Sequence, residues 1–207
     1  MNVTLQSWRR LWGELGAREI NGGVFNQLVA AHSERHRHYH TLQHLRECLA
    51  HCDAAGTLAR HPAEVELALW FHDAVYDPRR DDNEERSADW AQRSVVAAGC
   101  DPAVGERVRH LVLATQGHAP SEDIDTQLVV DIDLAILGAA AERFADYERQ
   151  VRAEYAHVPE DAYRIGRARV LQDFLDRPRI YGTAAYHDAL EQRARANIGQ
   201  SLSALRV

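Results

Sequence analysis

The sequence predicts an all-α protein that folds as a single helical domain. Apolar residues recur at helical spacing along most of the 207-residue chain, and no segment alternates apolar and polar residues as a half-buried strand does. Glycine, proline and N-cap residues interrupt this pattern at intervals that suit helices of ordinary length. A chain of this length can bury a large core, and no linker or internal repeat divides it.

Three helices are predicted in the first quarter of the chain. Val3–Gly16 carries an apolar stripe on one helical face, formed by Leu5, Trp8, Leu11, Trp12 and Leu15. The pair Gly22–Gly23 interrupts the pattern, and Val24–Ala31 resumes it. After a polar stretch, a third helix is expected over Thr41–Ala55 and stops at the glycine that follows.

A buried central helix is predicted next. Pro62 fits the first position of a helix, and Pro62–Val75 is apolar on nearly every face, which favours a place in the middle of the fold. A polar loop at Tyr76–Asp82 separates it from a helix over Asn83–Ala98. A further helix is predicted over Asp101–Thr115, because its first two residues, Asp and Pro, suit a cap and a first turn.

The last part of the chain completes the predicted bundle. Leu128–Leu137 is short and apolar, a pattern that fits a strand or a helix, and its helical surroundings favour a helix. Two long amphipathic helices are expected over Ala140–Ala156 and Pro159–Leu175, followed by a last helix over Ala184–Leu205.

Composition and charge exclude several chemistries. All 24 basic residues are arginine, which excludes a Walker-type phosphate loop with its lysine, a Schiff-base nucleophile and a pyridoxal-phosphate anchor. The net charge of −7 argues against a nucleic acid polymer as partner, since such a partner needs a basic face. Chemistry carried by imidazole, carboxylate and guanidinium groups remains, and five of the 12 histidines fall between residues 32 and 44.

The three cysteines, Cys48, Cys52 and Cys100, are an odd number at spacings that do not indicate a disulfide framework. Together with His44, Cys48 and Cys52 span about 12 Å of helix, too far for one zinc ion, so both are interpreted as core residues. No stretch approaches the roughly 18 apolar residues of a membrane span, and charged residues interrupt the N-terminus, unlike a secretory signal. We therefore expect a cytoplasmic protein with no membrane partner.

Two histidine patterns stand out. His40 and His44 are four residues apart, so in a helix both imidazoles lie on one face, about 6 Å apart along the axis. His72 and Asp73 end the most apolar helix, where an adjacent His–Asp pair is costly to bury unless something binds it.

A third pattern is formed by Asp131 and Asp133 within the apolar run Leu128–Leu137. Buried carboxylates without nearby cations need a metal ion or another partner. Each of the three patterns has an ordinary structural interpretation on its own, as a solvated helix face, a chance dipeptide or a helix cap. Together, and in this order, they indicate a functional site.

The order of these patterns resembles the HD superfamily of metal-dependent phosphohydrolases, which are helical bundles. More closely, the chain is similar to a bacterial family of predicted metal-dependent HD-superfamily phosphohydrolases, over most of its length. The matching segments are RHYHTLQH (Arg37–His44), ALWFHDAVYD (Ala68–Asp77), NEERSA (Asn83–Ala88), ATQGH (Ala114–His118), DIDLAILG (Asp131–Gly138) and GRARVLQDFL (Gly166–Leu175). The first segment is also similar to the histidine motif of cyclic-nucleotide phosphodiesterases, in which one His donates a proton and the His four residues later binds metal.

The resemblance implies a single HD-type domain over residues 1–207, with a metal-site core at about 37–138 and C-terminal helices at 140–205 packed on it. It implies one divalent metal ion held by His44, His72, Asp73 and Asp133, with Asp133 preferred to Asp131 because it directly precedes the leucine. Two imidazoles and two carboxylates neutralise a divalent ion and leave positions for water and a substrate oxygen. The ligand set suits Mn, Fe, Ni, Co, Mg or Zn.

Two further residues receive catalytic roles. His40, one turn before the first metal ligand, is placed to protonate a leaving oxygen, and Glu84 to orient the attacking water, with Asn83 helping to position it. His118 has three open roles: a phosphate contact, a ligand in a second metal site, or a hydrogen-bond partner of Asp73.

Arg37 and Arg167 are expected to bind phosphate, because a guanidinium group grips phosphate through two parallel hydrogen bonds and the chain has no lysine. Arg167 is equally well interpreted as an ordinary surface cation. The other three histidines of the cluster, His32, His36 and His38, are expected at the surface.

These observations predict a metal-dependent phosphohydrolase that cleaves a phosphate ester of a small phosphorylated metabolite, with a nucleotide favoured, by attack of metal-activated water. Two alternatives stay open. One is a non-catalytic, metal-bound module that senses a nucleotide or phosphate. The other is a di-iron oxygenase, an activity of some HD-fold proteins, for which His118 and Glu84 supply only part of the additional ligand set.

Overall fold

Helices account for all the regular secondary structure in residues 3–20 and 22–205, which are the residues that this computed structural model describes. The predicted all-α, single-domain fold is therefore confirmed. No helix in these ranges is both long enough and apolar enough to cross a membrane. The α-helices are α1 (Leu5–Glu14), α2 (Gly22–Ala31), α3 (Leu42–Ala55), α4 (Pro62–Phe71), α5 (Asn83–Ala97), α6 (Pro102–Leu113), α7 (Ile124–Asp133), α8 (Ala141–Glu154), α9 (Glu160–Leu175) and α10 (Ala184–Leu205), and short 3₁₀ helices lie at Gly56–Leu58 and Leu134–Gly138.

Polar side chains determine where several helices begin. Thr4 caps α1 by accepting a hydrogen bond from the backbone amide three residues later, at 3.1 Å. Thr41 caps α3 through the amide two residues later, at 3.2 Å. Asp101 and Asp123 cap α6 and α7 in the same manner. These caps satisfy amides that have no partner within the helix, so each helix has a defined first turn.

Helix α4 is the central helix of the fold, as its composition predicts. Every residue from Glu64 to Phe71 is buried, and α4 packs against α1, α3, α5, α6 and α7. Its two buried carboxylates are paired with arginines of neighbouring helices, Glu64 with Arg107 at 2.6 Å and Glu66 with Arg10 at 2.7 Å. The pairing offsets the cost of burying charge on this helix.

Helix α4 ends earlier than its apolar pattern predicts, at Phe71 rather than Val75. The backbone carbonyls of Asp73 and Ala74 accept hydrogen bonds from the buried guanidinium of Arg37, at 2.6 and 3.1 Å, instead of from helical amides. The chain therefore leaves the helix just where the His–Asp pair stands.

The apolar segment predicted at Leu128–Leu137 is helical, which confirms the preference for a helix over a strand. It divides into the end of α7, which begins at Ile124 and stops at Asp133, and the 3₁₀ helix at Leu134–Gly138. The position of Asp133 at this break, at the C-terminal end of a helix, matters for the site.

Helices α8 and α10 pack on the 3₁₀ helix that follows this break, and α10 also packs on α9. The packing is close: a Cβ atom on Gly138 would lie 2.7 Å from Cβ of Leu190, so glycine is required there. Asp131 fixes the start of α10 by accepting hydrogen bonds from the amides of Gly182 and Thr183, at 2.7 and 2.8 Å. The residues that follow Asp133 are therefore held in place by α10.

The prediction that His32, His36 and His38 are surface residues is correct for the last two and wrong for the first. His32 is only 1% exposed, and neither of its ring nitrogens has a hydrogen-bond partner. Burial lowers the pKa of His32 to about 3, so the imidazole is neutral at pH 7. A neutral imidazole tolerates an apolar environment that an ammonium or guanidinium group would not.

Candidate metal centre and adjoining pocket

Three helix ends meet at one point and bring four predicted ligands together. His44 lies in the first turn of α3, His72 and Asp73 directly follow α4, and Asp133 is the last residue of α7. The C-terminal ends of α4 and α7 carry partial negative charge, which favours a cation near them. Fold and sequence thus place nitrogen and oxygen donors in a region that attracts positive charge.

The donor atoms are separated by distances typical of one coordination shell. His44 Nε2 lies 3.1 Å from His72 Nε2, 3.1 Å from Asp133 Oδ1 and 3.4 Å from Asp73 Oδ2. His72 Nε2 lies 2.9 Å from Asp73 Oδ2 and 3.5 Å from Asp133 Oδ1. Ligands at about 2.1 Å from an ion are about 3.0–3.4 Å from one another in octahedral or tetrahedral geometry.

The hydrogen bonds around the cluster leave acceptor atoms that face each other. Nδ1 of His72 lies 2.8 Å from the carbonyl oxygen of Leu69 and donates to it, so Nε2 is the nitrogen that carries a lone pair whenever the ring is neutral, as it is when it binds a metal ion. Asp73 Oδ2 is buried and has no hydrogen-bond partner, although His72 Nε2 lies 2.9 Å away. A buried acceptor beside another acceptor needs a cation, and this orphaned oxygen shows that the residues fit one.

A thiol also lies beside the cluster. His44, Cys48, His72 and Asp133 each offer one ligand atom, and all four atoms lie within 4.8 Å of one another, so this buried group can hold a metal ion. Cys48 is buried, as predicted for a core residue, and its Sγ lies 3.6 Å from Nε2 and 3.7 Å from Nδ1 of His44. Because the two distances are nearly equal, Sγ lies against the side of the imidazole ring. It does not lie next to Nε2, where a ligand of the same metal ion would be.

The electrostatics of the cluster favour ionised carboxylates. Burial alone would lower the pKa of His72, but the charge of Asp73 and hydrogen bonds with Asp133 raise it well above its ordinary value. Burial likewise acts to raise the pKa of Asp133, but hydrogen bonds with His118 and His44 hold it well below the ordinary value. Ionised carboxylates beside imidazoles that favour their charged form therefore make this point of the site favourable for positive charge.

The choice between the two aspartates of α7 agrees with their surroundings. Asp133 faces His44 and His118, whereas Asp131 is fully buried on another side of the helix and caps α10. A third donor, the hydroxyl of Thr183, lies 2.6 Å from Asp131 Oδ2. Asp131 therefore has a complete set of protein partners and serves the fold.

His40 lies beside the metal cluster and is held by a carboxylate that the sequence did not single out. Nδ1 of His40 donates to Glu154 Oε2 at 2.8 Å, and the hydroxyl of Tyr76 donates to the same oxygen at 2.8 Å. The other carboxylate oxygen accepts from the backbone amides of His38, Tyr39 and His40, at 2.8, 2.8 and 3.0 Å. The ring orientation of His40 is thus fixed, and its Nε2 remains for the cavity that the residue lines.

A local signal could have identified Glu154. It is the last residue of α8, where the helix dipole disfavours a carboxylate, so a glutamate there needs compensating partners. Its backbone-amide and imidazole partners supply that compensation, and its pKa falls to about 2 because hydrogen bonds to His40 outweigh the opposing effect of burial.

His118 contacts the cluster, but through Asp133 and not through Asp73. Nε2 of His118 lies 2.8 Å from Asp133 Oδ2, on the carboxylate oxygen that does not face His44. The residue has a positive φ of 48°, and Arg177 donates to its carbonyl oxygen at 2.6 Å. Arg177, a second residue that sequence reasoning missed, thus anchors the loop that carries His118.

Glu84 lies in the first turn of α5, half-buried near the cluster. Burial, together with the charges of Asp73 and Asp133, raises its pKa above the ordinary value. Asn83 does not face the cluster: its side-chain amide bonds the backbone of Asp77, with Oδ1 accepting at 3.1 Å and Nδ2 donating at 2.9 Å. Asn83 thereby fixes the loop before α5 and, through it, the position of Glu84.

Arg37 does not lie where a phosphate clamp should. Its side chain is fully buried, and besides the carbonyls at the end of α4 it donates to the carbonyl oxygen of His40 at 3.2 Å and to Glu34 at 2.9 Å. A guanidinium enclosed by backbone carbonyls is not accessible to a ligand. The expectation of a phosphate contact is therefore corrected, and Arg37 instead ties His40 to the His–Asp segment.

Arg167 lies in the wall of a cavity and not at an ordinary surface position. Its side chain is 9% exposed, donates to Glu148, and has its guanidinium carbon 5.0 Å from the centroid of the Tyr147 ring. Nε of Arg167 is buried and has no hydrogen-bond partner. The surface-cation interpretation is therefore wrong, and one N–H of this residue remains unused by the protein.

The cavity beside Arg167 has a volume of about 580 Å³ and reaches the cluster of His and Asp side chains. His40, His118 and Asp133 form one part of its wall, and helices α8 and α9 supply much of the rest. We call it the α8–α9 pocket. Its size is that of a typical small-molecule site.

Comparison with known proteins gives no relative for this chain: no family model, no curated protein and no solved structure matches it. A function for this chain must therefore be argued from the cluster of His and Asp side chains and from the α8–α9 pocket.

Proposed function

We propose that this protein is a metal-dependent phosphohydrolase of the HD type that cleaves a phosphate ester of a small metabolite. The observation that carries the proposal is the convergence of His44, His72, Asp73 and Asp133 beside a carboxylate-held histidine, His40. The order of these residues along the chain, which resembles the HD superfamily, supports the same activity.

The four side chains are proposed to hold one divalent ion. Bound there, the ion supplies Lewis-acid charge for the phosphoryl oxygens and lowers the pKa of a coordinated water. The orphaned Oδ2 of Asp73 and the facing imidazole nitrogens are the features of the chain that support this assignment. Mn, Fe, Ni, Co, Mg and Zn are the candidates, since mixed imidazole and carboxylate donors accept all of them.

His40 is proposed as the general acid. Its Nδ1–H is held by Glu154, so in the imidazolium form Nε2 carries the second proton, which passes to the oxygen of the departing alcohol. Glu154 fixes the ring plane and stabilises the imidazolium form, the role that a carboxylate plays beside a catalytic histidine. Glu154 does not reach the reacting atoms and is therefore a positioning residue.

Glu84 is proposed to orient the attacking water and to accept its proton. A carboxylate whose pKa is raised by burial and by neighbouring negative charge is a stronger base than an exposed one. His118 is proposed to hold Asp133 in the orientation that presents Oδ1 to the cluster, since it binds the other oxygen.

A phosphatase screen with defined metals tests the proposal. Chelator-treated protein is supplied with each candidate metal and assayed on p-nitrophenyl phosphate, nucleotides and sugar phosphates, and bound metal is measured by mass spectrometry. We expect metal-dependent release of phosphate, which His72→Ala abolishes and which His110→Ala, a change at an exposed histidine of α6, leaves intact.

Other outcomes separate the alternatives. Nucleotide binding without turnover under every metal indicates a sensing module instead of an enzyme. Iron-dependent oxygen uptake without phosphate release indicates a di-iron oxygenase. Absence of any bound divalent ion, together with unchanged phosphatase activity in His72→Ala, overturns the proposal.

A further inference from the structure

Helix α9 presents a large apolar side chain that the rest of the fold leaves uncovered. Ile165, in the second turn of the helix, is 73% exposed, more than any other large apolar side chain in the part of the chain that the structure describes. Covering it with another surface would remove apolar area from water, which is favourable. From the residues around Ile165 we infer that α9 forms an interface between two copies of this chain, with the two α9 helices antiparallel. The inference does not depend on the proposed phosphohydrolase function.

Small side chains lie on either side of Ile165 on the same face of the helix. Ala162 is three residues before it and Ala168 three residues after it, and residues three apart are neighbours on a helix surface. In an antiparallel pair with its two-fold axis at Ile165, Ala162 of one copy faces Ala168 of the other. These small residues allow the helices to approach closely, so the two isoleucines can pack against each other at the axis.

The charged residues on this face favour the antiparallel arrangement. Asp161 lies four residues before Ile165 and Arg169 four residues after it, and both are exposed. Within the residues that the structure describes, neither side chain has an ion-pair partner. In the antiparallel pair, Asp161 of each copy faces Arg169 of the other, which forms two symmetric ion pairs. In a parallel pair aspartate would face aspartate and arginine would face arginine, and such like charges repel.

The net charge of this face argues for a second copy over other occupants. The exposed charged residues of α9 are Glu160, Asp161, Arg169 and Asp173, so acidic residues outnumber basic ones. An anionic membrane or a nucleic acid would need the opposite balance. A two-fold interface needs a surface that complements itself, and one aspartate and one arginine at equal distances from Ile165 meet that need.

The interface lies beside the mouth of the α8–α9 pocket. Ala162, Gly166 and Val170 line the pocket and are also exposed, so they form its rim on α9. Ala162 belongs both to this rim and to the interface, and Gly166 directly follows Ile165 in the chain. A second copy bound along α9 therefore stands at the rim and restricts the approach to the pocket from that side.

Sedimentation equilibrium of the protein tests the inference. Residues 160–170 of each α9 overlap in this arrangement, about 15 Å of helix, which is short for a specific interface and predicts reversible association. The measurement therefore covers protein concentrations from roughly 1 to 500 µM, which correspond to weak and moderate affinities. We expect a monomer–dimer equilibrium within this range, and a chain that stays monomeric throughout it overturns the inference.

The first variant is Ile165→Arg, with Val96→Arg as the matched control. In the antiparallel pair, Ile165→Arg places two guanidinium groups against each other at the two-fold axis, which is unfavourable. Val96 is 55% exposed on α5, so Val96→Arg makes the same kind of change, with the same charge, away from α9. We expect the dissociation constant of the dimer to rise at least about tenfold in Ile165→Arg and to stay unchanged in Val96→Arg. A dimer that Ile165→Arg leaves intact overturns the inference.

Charge reversal tests the antiparallel pairing itself. Asp161→Arg alone and Arg169→Asp alone each place like charges opposite each other, so each should weaken the dimer by at least about threefold. The double variant that combines both changes restores opposite charges and should return the dissociation constant to within about twofold of the unmodified value. Thermal unfolding checks that each variant is folded. A double variant that dimerises no better than the single variants overturns the pairing.

Discussion

Glu154 Oε2 accepts a hydrogen bond from Nδ1 of His40 at 2.8 Å, although 114 residues separate the two in the chain. The bond joins the last turn of α8 to the segment before α3. It gives the predicted general acid a fixed ring orientation, a proton on Nδ1, and a counter-charge for its imidazolium form. Catalysis by His40 should therefore depend on a residue that the substrate does not touch.

Replacing the carboxylate tests this dependence. In Glu154→Gln, the amide oxygen can still accept hydrogen bonds, but the counter-charge for the imidazolium is lost. We expect kcat to fall by about 100-fold with little change in KM. Steady-state kinetics with p-nitrophenyl phosphate provide both readouts.

A purely structural role for Glu154 predicts a different result. In that case kcat is unchanged wherever the variant is folded. Glu142→Gln is a suitable control, because it makes the same change at an exposed glutamate in the first turn of α8. It is expected to leave both kcat and KM unchanged.

The same carboxylate should contribute to stability in a defined pH window. Glu154 has a pKa of about 2 in the folded protein against an ordinary 4.5, so its contribution is complete above 4.5 and is lost as the pH falls towards 2. We expect the difference in unfolding free energy between the unmodified protein and Glu154→Gln to shrink by up to about 3 kcal/mol across that window. Urea unfolding from pH 6 downwards measures it, and a difference independent of pH contradicts the prediction.

Asp131 and Asp133 provide a matched pair on one helix. Asp133→Asn replaces a proposed ligand, so we expect divalent-metal affinity to fall at least about tenfold. Asp131→Asn replaces the charged carboxylate that caps α10 with a neutral amide. We expect a loss of about 1–2 kcal/mol in unfolding free energy and no change in metal affinity.

Both variants need both readouts, calorimetric titration of metal and thermal unfolding of the metal-free protein. The prediction concerns metal affinity: Asp133→Asn lowers it, whereas Asp131→Asn changes stability and leaves metal affinity unchanged. If Asp131→Asn weakens metal binding as much as Asp133→Asn does, the assignment of the two residues is wrong.

Arg37 offers a test of a corrected role. Arg37→Met keeps much of the side-chain volume but leaves the carbonyls of His40, Asp73 and Ala74 without their donor. We expect a loss of about 2–4 kcal/mol in unfolding free energy, since several buried acceptors lose their partner together. Chemical unfolding of the variant measures this loss.

The neighbouring Arg35 is exposed and serves as the control, with Arg35→Met expected to stay within about 0.5 kcal/mol of the unmodified protein. A phosphate clamp would behave differently. It would leave the unfolding free energy nearly unchanged and weaken inhibition by inorganic phosphate.

Local sequence signals predicted most of the fold. Caps such as Thr41 and Asp101, and the proline at the start of α4, act within one turn, so they can be recognised without knowledge of the tertiary structure. The predicted helix over Ala184–Leu205 has the same bounds in the structure, although its start is also fixed by Asp131, a residue distant in the chain. Where α4 ends was not predictable, because it depends on Arg37, a residue distant in the chain.

The candidate site likewise has a part that local sequence signals predict and a part that depends on distant residues. His44, His72, Asp73 and Asp133 belong to short motifs at helix ends, and the fold needs only to bring those ends together. A glutamate at the end of α8 indicates that partners are needed, but the identity of those partners, like the burial of Arg37, depends on residues distant in the chain, which one sequence does not disclose. The α8–α9 pocket is likewise a space between elements, and no residue pattern records a space.

The neighbours of His44 permit a last prediction, on which donors complete the metal site. Cys48 Sγ lies almost equally far from both ring nitrogens of His44, whereas a thiolate sharing an ion with Nε2 should be clearly farther from Nδ1. Asp73 Oδ2 lies near Nε2 of both histidines and has no hydrogen bond. We therefore expect the cobalt(II)-loaded protein to lack the intense near-ultraviolet charge-transfer band of a cobalt–thiolate bond. Cys48→Ser should leave the cobalt spectrum and affinity unchanged, while Asp73→Asn lowers affinity by at least about tenfold. A charge-transfer band that disappears in Cys48→Ser would place the thiolate in the ligand set, because the band arises only from a direct metal–sulfur bond, and an unchanged affinity in Asp73→Asn would remove that carboxylate from the set.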